Sequence, residues 1–283
     1  MSLTKKPPLP SFLCIGSQKA ATSWLWTMLR QHPEIWMSPL KEIHFFDHLY
    51  DPKNTRWRIK SAKKQIAVSI RQHLKGEKID FKYLKYLVNL AVTPIFTESW
   101  YSECFNRPEA IGKSCGEITP AYSTLSEEGV EYVKKFLGPD LKLIYIIRNP
   151  LDRAVSHLKM KLTRGKTDAP DNATILKMAH DPEILKNGNY QQNIPRWEKY
   201  FPRENFLYLP YKEVRTDPAG FLSQIEDHLA VSRLSKYRGS KERVHKTKEV
   251  EIPGNVLAYL KKELAPQNEF LIKRFGEDWF SRT

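Results

Sequence analysis

Short apolar runs that end at a turn alternate along this chain with stretches whose apolar residues recur every three to four positions. Phe12 to Gly16 is a run of the first kind and reads as a buried strand entering a turn. Thr22 to Gln31 follows, with Trp24, Leu25, Met28 and Leu29 at helical spacing and Pro33 as its stop. Ala110 to Cys115 is a weaker strand. Ser126 precedes Glu127 and Glu128, which marks it as the N-cap of a helix running to Leu137 and closing at Gly138 and Pro139. Leu141 to Ile147 is the strongest strand of the chain. A turn at Arg148 and Asn149 follows it, and the next helix opens with Pro150 at its first position. Phe206 to Tyr211 and Pro218 to Leu229 add a further strand and helix. Strands alternating with helices predict an α/β fold: a parallel central sheet flanked by helices. Between about residues 51 and 102 the rhythm is broken by two helical stretches, Ile59 to Leu74 and Phe81 to Leu90. These read as a helical insertion or lid within a single domain spanning residues 1–283.

Composition narrows the class. Hydrophobic residues make up 41% of 283, which excludes long disorder as the main state. No apolar run approaches the roughly 20 residues that span a bilayer, and the longest, Tyr86 to Phe96, contains Asn89 and Pro94. No signal peptide is visible. Three cysteines (Cys14, Cys104, Cys115) lack metal-ligand spacing and a disulfide framework, so a reducing, cytoplasmic location is expected. The formal charge of +14 is concentrated. Asp51 to Lys85 holds eleven Lys and Arg against three Asp and Glu, and Arg233 to Lys248 holds seven against one, so these two stretches account for the whole surplus. A localised positive field draws anionic ligands. No recognisable nucleic-acid motif accompanies it, so a small polyanion is the expected partner rather than nucleic acid.

Two places carry phosphate-binding chemistry. The turn from Gly16 to Trp24 joins a strand to a helix start, where free N–H groups and the helix dipole favour an anion. Lys19 adds charge, Ala20 and Ala21 leave the backbone open, and Thr22 and Ser23 add hydroxyls. The lysine precedes two alanines, so a Walker A loop is a poor match, and no GxGxxG is present. A plain turn capped by Thr22 or Ser23 is the alternative. The second place is the carboxyl end of the strongest strand, where Arg148 and, two helical turns on, Ser156 could clamp another phosphate. Its alternative is an Arg148–Asp152 pair with Ser156 on the helix surface.

In KAATSW (Lys19 to Trp24) and YIIRNPLDRAVS (Tyr145 to Ser156) the chain resembles the KxGTTW and YxxRNPxDxxVS motifs of sulfotransferases that use 3′-phosphoadenosine 5′-phosphosulfate (PAPS). Lys41 to Asp47 resembles the KExHFFD segment of the heparan-sulfate-type branch, and Gly116 to Tyr122 its EKTPAY segment. Both nucleotide motifs stand in the family's order, and the resemblance is firm from about Phe12 to Leu162. It implies a P-loop-like fold, PAPS as donor, adenosine 3′,5′-bisphosphate as product, and an acceptor hydroxyl or amine on a carbohydrate, lipid or small molecule. By the same resemblance Lys19 and the backbone of Ala20, Ala21, Thr22 and Ser23 would hold the 5′-phosphate. Arg148 and Ser156 would hold the 3′-phosphate, and Trp24 would stack on adenine or pack in the core. Glu42 is the favoured general base, with His44 as the other candidate. The family's loop glycine is Ala21, expected here in helical dihedrals, and the branch's lysine is Ile118. The late donor loop has its nearest counterpart at Lys246, Thr247 and Lys248. No metal is required. Peripheral contact with a membrane stays open, and a nucleotide-dependent kinase of related fold is the alternative.

Overall fold

The computed structural model describes residues 9–51, 53–164, 171–242 and 250–283. Its strands are β1 (Phe12–Gly16), β2 (Ile35–Met37), β3 (Ser114–Ile118), β4 (Lys142–Ile147) and β5 (Phe206–Pro210). They form one sheet in the order β2-β3-β1-β4-β5, with every neighbouring pair parallel. Side chains alternate across it as period two demands. Leu13 and Ile15 of β1 and Leu143, Tyr145 and Ile147 of β4 enter one core layer, while Phe12, Cys14, Ile144 and Ile146 enter the other.

The sequence pattern placed the third strand at Ala110 to Cys115, and the structure moves it to Ser114–Ile118. Pro108–Ala110 forms a 3-10 turn, and the strand proper contains Gly116 and Glu117, which interrupt its apolar pattern. Gly116 is needed there because a methyl group would collide with the ring of Phe12, its partner in register. β2 has only three residues, too few to show a period.

The helices in chain order are α1 (Thr22–Leu29), α2 (Phe45–Tyr50), α3 (Thr55–Leu74), α4 (Phe81–Val92), α5 (Glu98–Glu103), α6 (Glu127–Leu137) and α7 (Pro150–Arg164). They continue as α8 (Asn172–Ala179), α9 (Pro182–Lys186), α10 (Tyr190–Glu198), α11 (Glu213–Thr216), α12 (Pro218–His228), α13 (Gly254–Phe275) and α14 (Glu277–Ser281). Ser126 caps α6 by accepting from the Gly129 N–H at 3.3 Å, and Pro150 opens α7, both as the sequence predicts. α3 and α4 lie in the stretch read as an insertion. Their inner residues Ala62, Ile66, Tyr86, Leu87 and Leu90 join the core layer that also holds Leu13 and Tyr145. The Tyr86 hydroxyl donates to the Cys104 carbonyl at 2.7 Å, and the Trp100 indole to the Leu90 carbonyl at 3.1 Å.

Candidate active site

One large cleft, about 1900 Å³, is lined by residues that follow the carboxyl ends of all five strands. This is where ligands bind in open parallel sheets. A single small ligand needs at most about 1000 Å³, so there is room for two reactants. Seven non-glycine residues described have positive φ, and five of them line this cleft: Lys19, Ala21, Glu42, His44 and Asn54. Each such conformation costs about 1–3 kcal/mol and persists where surrounding structure enforces it.

The turn after β1 departs from expectation at Ala21. Its φ of 57° and ψ of 21° are left-handed, not helical, and it is the N-cap of α1 without a side-chain cap. A glycine would hold this conformation at less cost. Thr22 and Ser23 are therefore the first helical residues, with N–H groups that have no partner inside the helix. Ala20 does not face the cleft: it is fully buried, and its N–H donates to the Ser17 carbonyl at 3.2 Å. Lys19 borders the cleft. Burial, and then the nearby Arg148 and Arg164 cations, lower its ammonium pKa, while Glu42 opposes them. Trp24 is only 4% exposed and its indole donates to the Ser240 carbonyl at 2.9 Å, so most of its ring packs in the core.

Arg148 emerges from the end of β4 beside this turn. Its Nη1 donates to the Lys19 carbonyl at 2.7 Å, and its guanidinium lies over the Tyr211 ring. Its Nε is buried without a partner. Ser156, on α7, lines the same cleft. The two expected phosphate grips are thus brought together. Tyr190 joins them from beneath. Its hydroxyl lies 3.1 Å from Ser17 Oγ and 2.9 Å from the Arg148 carbonyl oxygen, and accepts from the Arg148 N–H at 3.3 Å.

Opposite stands the segment after β2. His44 donates from Nδ1 to Asp47 Oδ2 at 2.8 Å and faces Glu42 Oε2 with Nε2 at 3.5 Å. Burial disfavours its charge, but the Asp47 hydrogen bond and the Glu42 contact outweigh burial and raise its pKa to about 9. Burial likewise works to raise the Glu42 pKa, yet His44 and the Lys41 ammonium, 2.6 Å from Oε1, bring it down to about 2. His44 is therefore an imidazolium at neutral pH and Glu42 a carboxylate. Arg58 of α3 steadies Asp47 through Nε at 3.0 Å. Trp57, one residue earlier, sets its ring edge-on to His44 at 5.5 Å and is half exposed at the cleft. Trp57, Trp100 and Tyr190 are the aromatics the sequence offers for stacking on a sugar, each with a structural role as its alternative; Trp100 and Tyr190 are fully buried and take the structural one.

A buried carboxylate anchors this segment from behind. Glu117 accepts from the hydroxyls of Tyr101 at 2.6 Å, Thr119 at 2.9 Å and Tyr122 at 3.1 Å. Burial, moderated by these bonds, raises its pKa to about 7. The Tyr122 hydroxyl in turn accepts from the Phe45 N–H at 3.0 Å, which fixes the start of α2 beside His44. Ile118 points into the core rather than the cleft. Sequence reasoning assigned no role to Lys41, Asp47, Arg58 or Glu117. Lys41 and Asp47 sit inside the quoted Lys41 to Asp47 segment and Glu117 inside the quoted Gly116 to Tyr122 segment, so a signal was present for all three. Lys246, Thr247 and Lys248 lie outside the described residues. Among the described residues no group of three or more His, Cys, Asp or Glu side chains is placed to hold a metal ion, and no helix is long and apolar enough to cross a membrane.

Comparison with known proteins adds a family to this geometry. A family model described as "Sulfotransferase family" matches residues 10–235. Heparan sulfate glucosamine 3-O-sulfotransferase 6 of Mus musculus is 25% identical over 80% of this chain and 53% of its own length. The heparan sulfate glucosamine 3-O-sulfotransferase 3B1 of Homo sapiens is 24% identical, again over 80% of this chain and 47% of its own. The chain thus spans about half the length of these relatives. Among solved structures, a sulfotransferase from Alicyclobacillus acidocaldarius superposes with a TM-score of 0.62 at 22% identity, covering 96% of this chain and 99% of that one. That likeness shows a shared fold.

Proposed function

Because the chain belongs to the sulfotransferase family, we propose that it is an enzyme that moves a sulfuryl group from PAPS to an acceptor hydroxyl or amine, leaving adenosine 3′,5′-bisphosphate. The observation that carries this reading is the 2.7 Å bond from Arg148 to the Lys19 carbonyl, which makes one continuous cationic rim of two separate motifs. The rim fits a doubly phosphorylated nucleotide. Arg148 Nε has no partner, and Lys19 is crowded by other cations that a bound anion would relieve. The family match and the relatives give no support to a kinase.

Thr22 and Ser23, with their backbone N–H groups, hold the 5′-phosphate oxygens, and Lys19 neutralises the charge that grows on the leaving phosphate. Arg148 and Ser156 hold the 3′-phosphate. Lys246, Thr247 and Lys248 remain candidates for a further donor contact. Glu42 takes the acceptor proton as the new bond to sulfur forms and the bond from sulfur to the phosphate oxygen breaks. His44, held by Asp47 and Arg58, orients Glu42 and stays protonated. Paired with Lys41, Glu42 is a weak base. As Lys41 turns toward the anionic donor, Glu42 loses one of its two cationic neighbours, keeps His44, and gains basicity. The relatives' names specify glucosamine in heparan sulfate. For this chain a sugar-type acceptor is supported by Trp57, with Ser61 and Gln65 one and two turns along the same cleft-facing side of α3. A cytoplasmic setting is supported by three free, buried cysteines.

Calorimetric titration with adenosine 3′,5′-bisphosphate tests the reading. Wild type should bind, and Arg148→Ala should bind at least tenfold more weakly. Glu42→Gln should bind like wild type yet lose about 10²–10⁴ in turnover with sulfur-labelled donor and a panel of sugar acceptors. No binding by wild type, or unchanged binding by Arg148→Ala, would reject it.

A further inference from the structure

The larger basic stretch is left unexplained by the cleft. Of its eleven Lys and Arg residues between Asp51 and Lys85, only Arg58 lines the cleft, and it is committed to Asp47. The other ten are exposed, and among the described residues none of their side chains is ion-paired to a carboxylate. α3 contains no acidic residue at all. So much charge of one sign on one hairpin repels itself and draws anionic partners.

Beside these cations lies an apolar face that packs against nothing described. Nine of the twelve residues of α4 are apolar. Tyr86, Leu87 and Leu90 face inward and are buried. On the opposite side Phe81, Val88 and Val92 fall within about 40° of one another at 100° per residue. Phe81 is 75% exposed and Val92 73%. The end of α3 adds exposed Leu74, and the turn to α4 adds exposed Ile79. Lys82 and Lys85 border the stripe along one side, and Lys75 and Lys78 sit in the turn, against only Glu77 and Asp80. The turn is held in shape by the His73 ring, which contacts Asp80 backbone at 2.9 Å and packs edge-on against Tyr83.

We propose that the outer face of α4 and the adjoining turn form a docking surface for an anionic phospholipid bilayer. Apolar side chains rimmed by lysines on one helical face are what an interfacial helix needs: burial of the stripe at the acyl boundary and attraction to negative headgroups. A second copy of this chain is a poor occupant, because pairing the two faces would bring two strongly positive hairpins together. A nucleic acid would meet the lysines but leave Phe81, Val88 and Val92 unused. The inference is independent of the sulfuryl-transfer reading and is tested without turnover.

The test is flotation of the full chain with vesicles of phosphatidylcholine alone and of phosphatidylcholine with phosphatidylglycerol in equal parts. Wild type should float with the anionic vesicles and not with the neutral ones, and added salt should release it. Lys82→Gln with Lys85→Gln should weaken partitioning about fivefold per lysine. Phe81→Ser with Val92→Ser should weaken it at least tenfold. Thermal melting of each variant separates loss of the surface from loss of the fold, and all four residues are exposed. Failure of wild type to float, equal flotation with neutral vesicles, or full flotation of either variant overturns the proposal. So does light scattering that shows a dimer dispersed by Phe81→Ser.

Discussion

His44 holds its proton against burial because two carboxylates face it. Its pKa is raised from 6.5 to about 9, so its contribution to stability is complete below pH 6.5 and fades as the pH climbs through 9. Glu42 is lowered from 4.5 to about 2, so it contributes above pH 4.5 and fades as the pH falls through 2. The difference in melting temperature between wild type and His44→Asn is therefore expected to be greatest below pH 6.5 and to close above about 9. Turnover should stay level across the interval between the two values if Glu42 accepts the proton. A rate climbing toward pH 9 would transfer that role to His44. That Lys19, Arg148 and Ser156 meet at one cleft was legible because their motifs are local in the chain. The protonation of His44 was not, since it depends on Asp47, three residues on, and on a left-handed backbone that lets residues 42 and 44 meet. Ala21 shows the same limit: its side chain is visible in the sequence, whereas its left-handed φ arises from the packing around the turn.

Among the elements, β3 gives the sharpest test of how the sheet is built. Gly116 and Phe12 are register partners, and the Phe12 ring fills the space a methyl would take. Gly116→Ala is expected to cost about 1–3 kcal/mol through overpacking, read as a lower urea midpoint with an unchanged slope. Combining it with Phe12→Leu should recover part of the loss; no recovery would mean the ring is not the obstacle. Strongly periodic or continuous elements such as β1, β4 and α6 were legible from pattern alone. β3 was displaced because its glycine and glutamate break the apolar run for reasons set elsewhere, by Phe12 and by the hydroxyls of Tyr101 and Tyr122. β2 was missed because it is too short to carry a period.

For the whole molecule, the described cations separate into two physical roles. The cleft rim draws its cations from strand ends far apart in sequence, while the hairpin of α3 and α4 carries its own outward. Nucleotide binding to the rim should stabilise the entire fold. At a hundredfold excess over Kd the gain is about 2.7 kcal/mol, which for a domain of this size raises the melting temperature by roughly 5–10 °C. Adenosine 3′,5′-bisphosphate should produce this shift in wild type, and Arg148→Ala should lose most of it at the same concentration. An equal shift in both would detach Arg148 from the ligand. The charge asymmetry was legible from counting; that the α3 and α4 cations other than Arg58 face away from the cleft was not, because that depends on how α3 is rotated about its own axis.

The Tyr190 phenol, touching both Ser17 and Arg148, acts as a keystone shared by two arches. Neither strand end can yield without slackening the other, so spent nucleotide should depart in one event instead of peeling away from one end first.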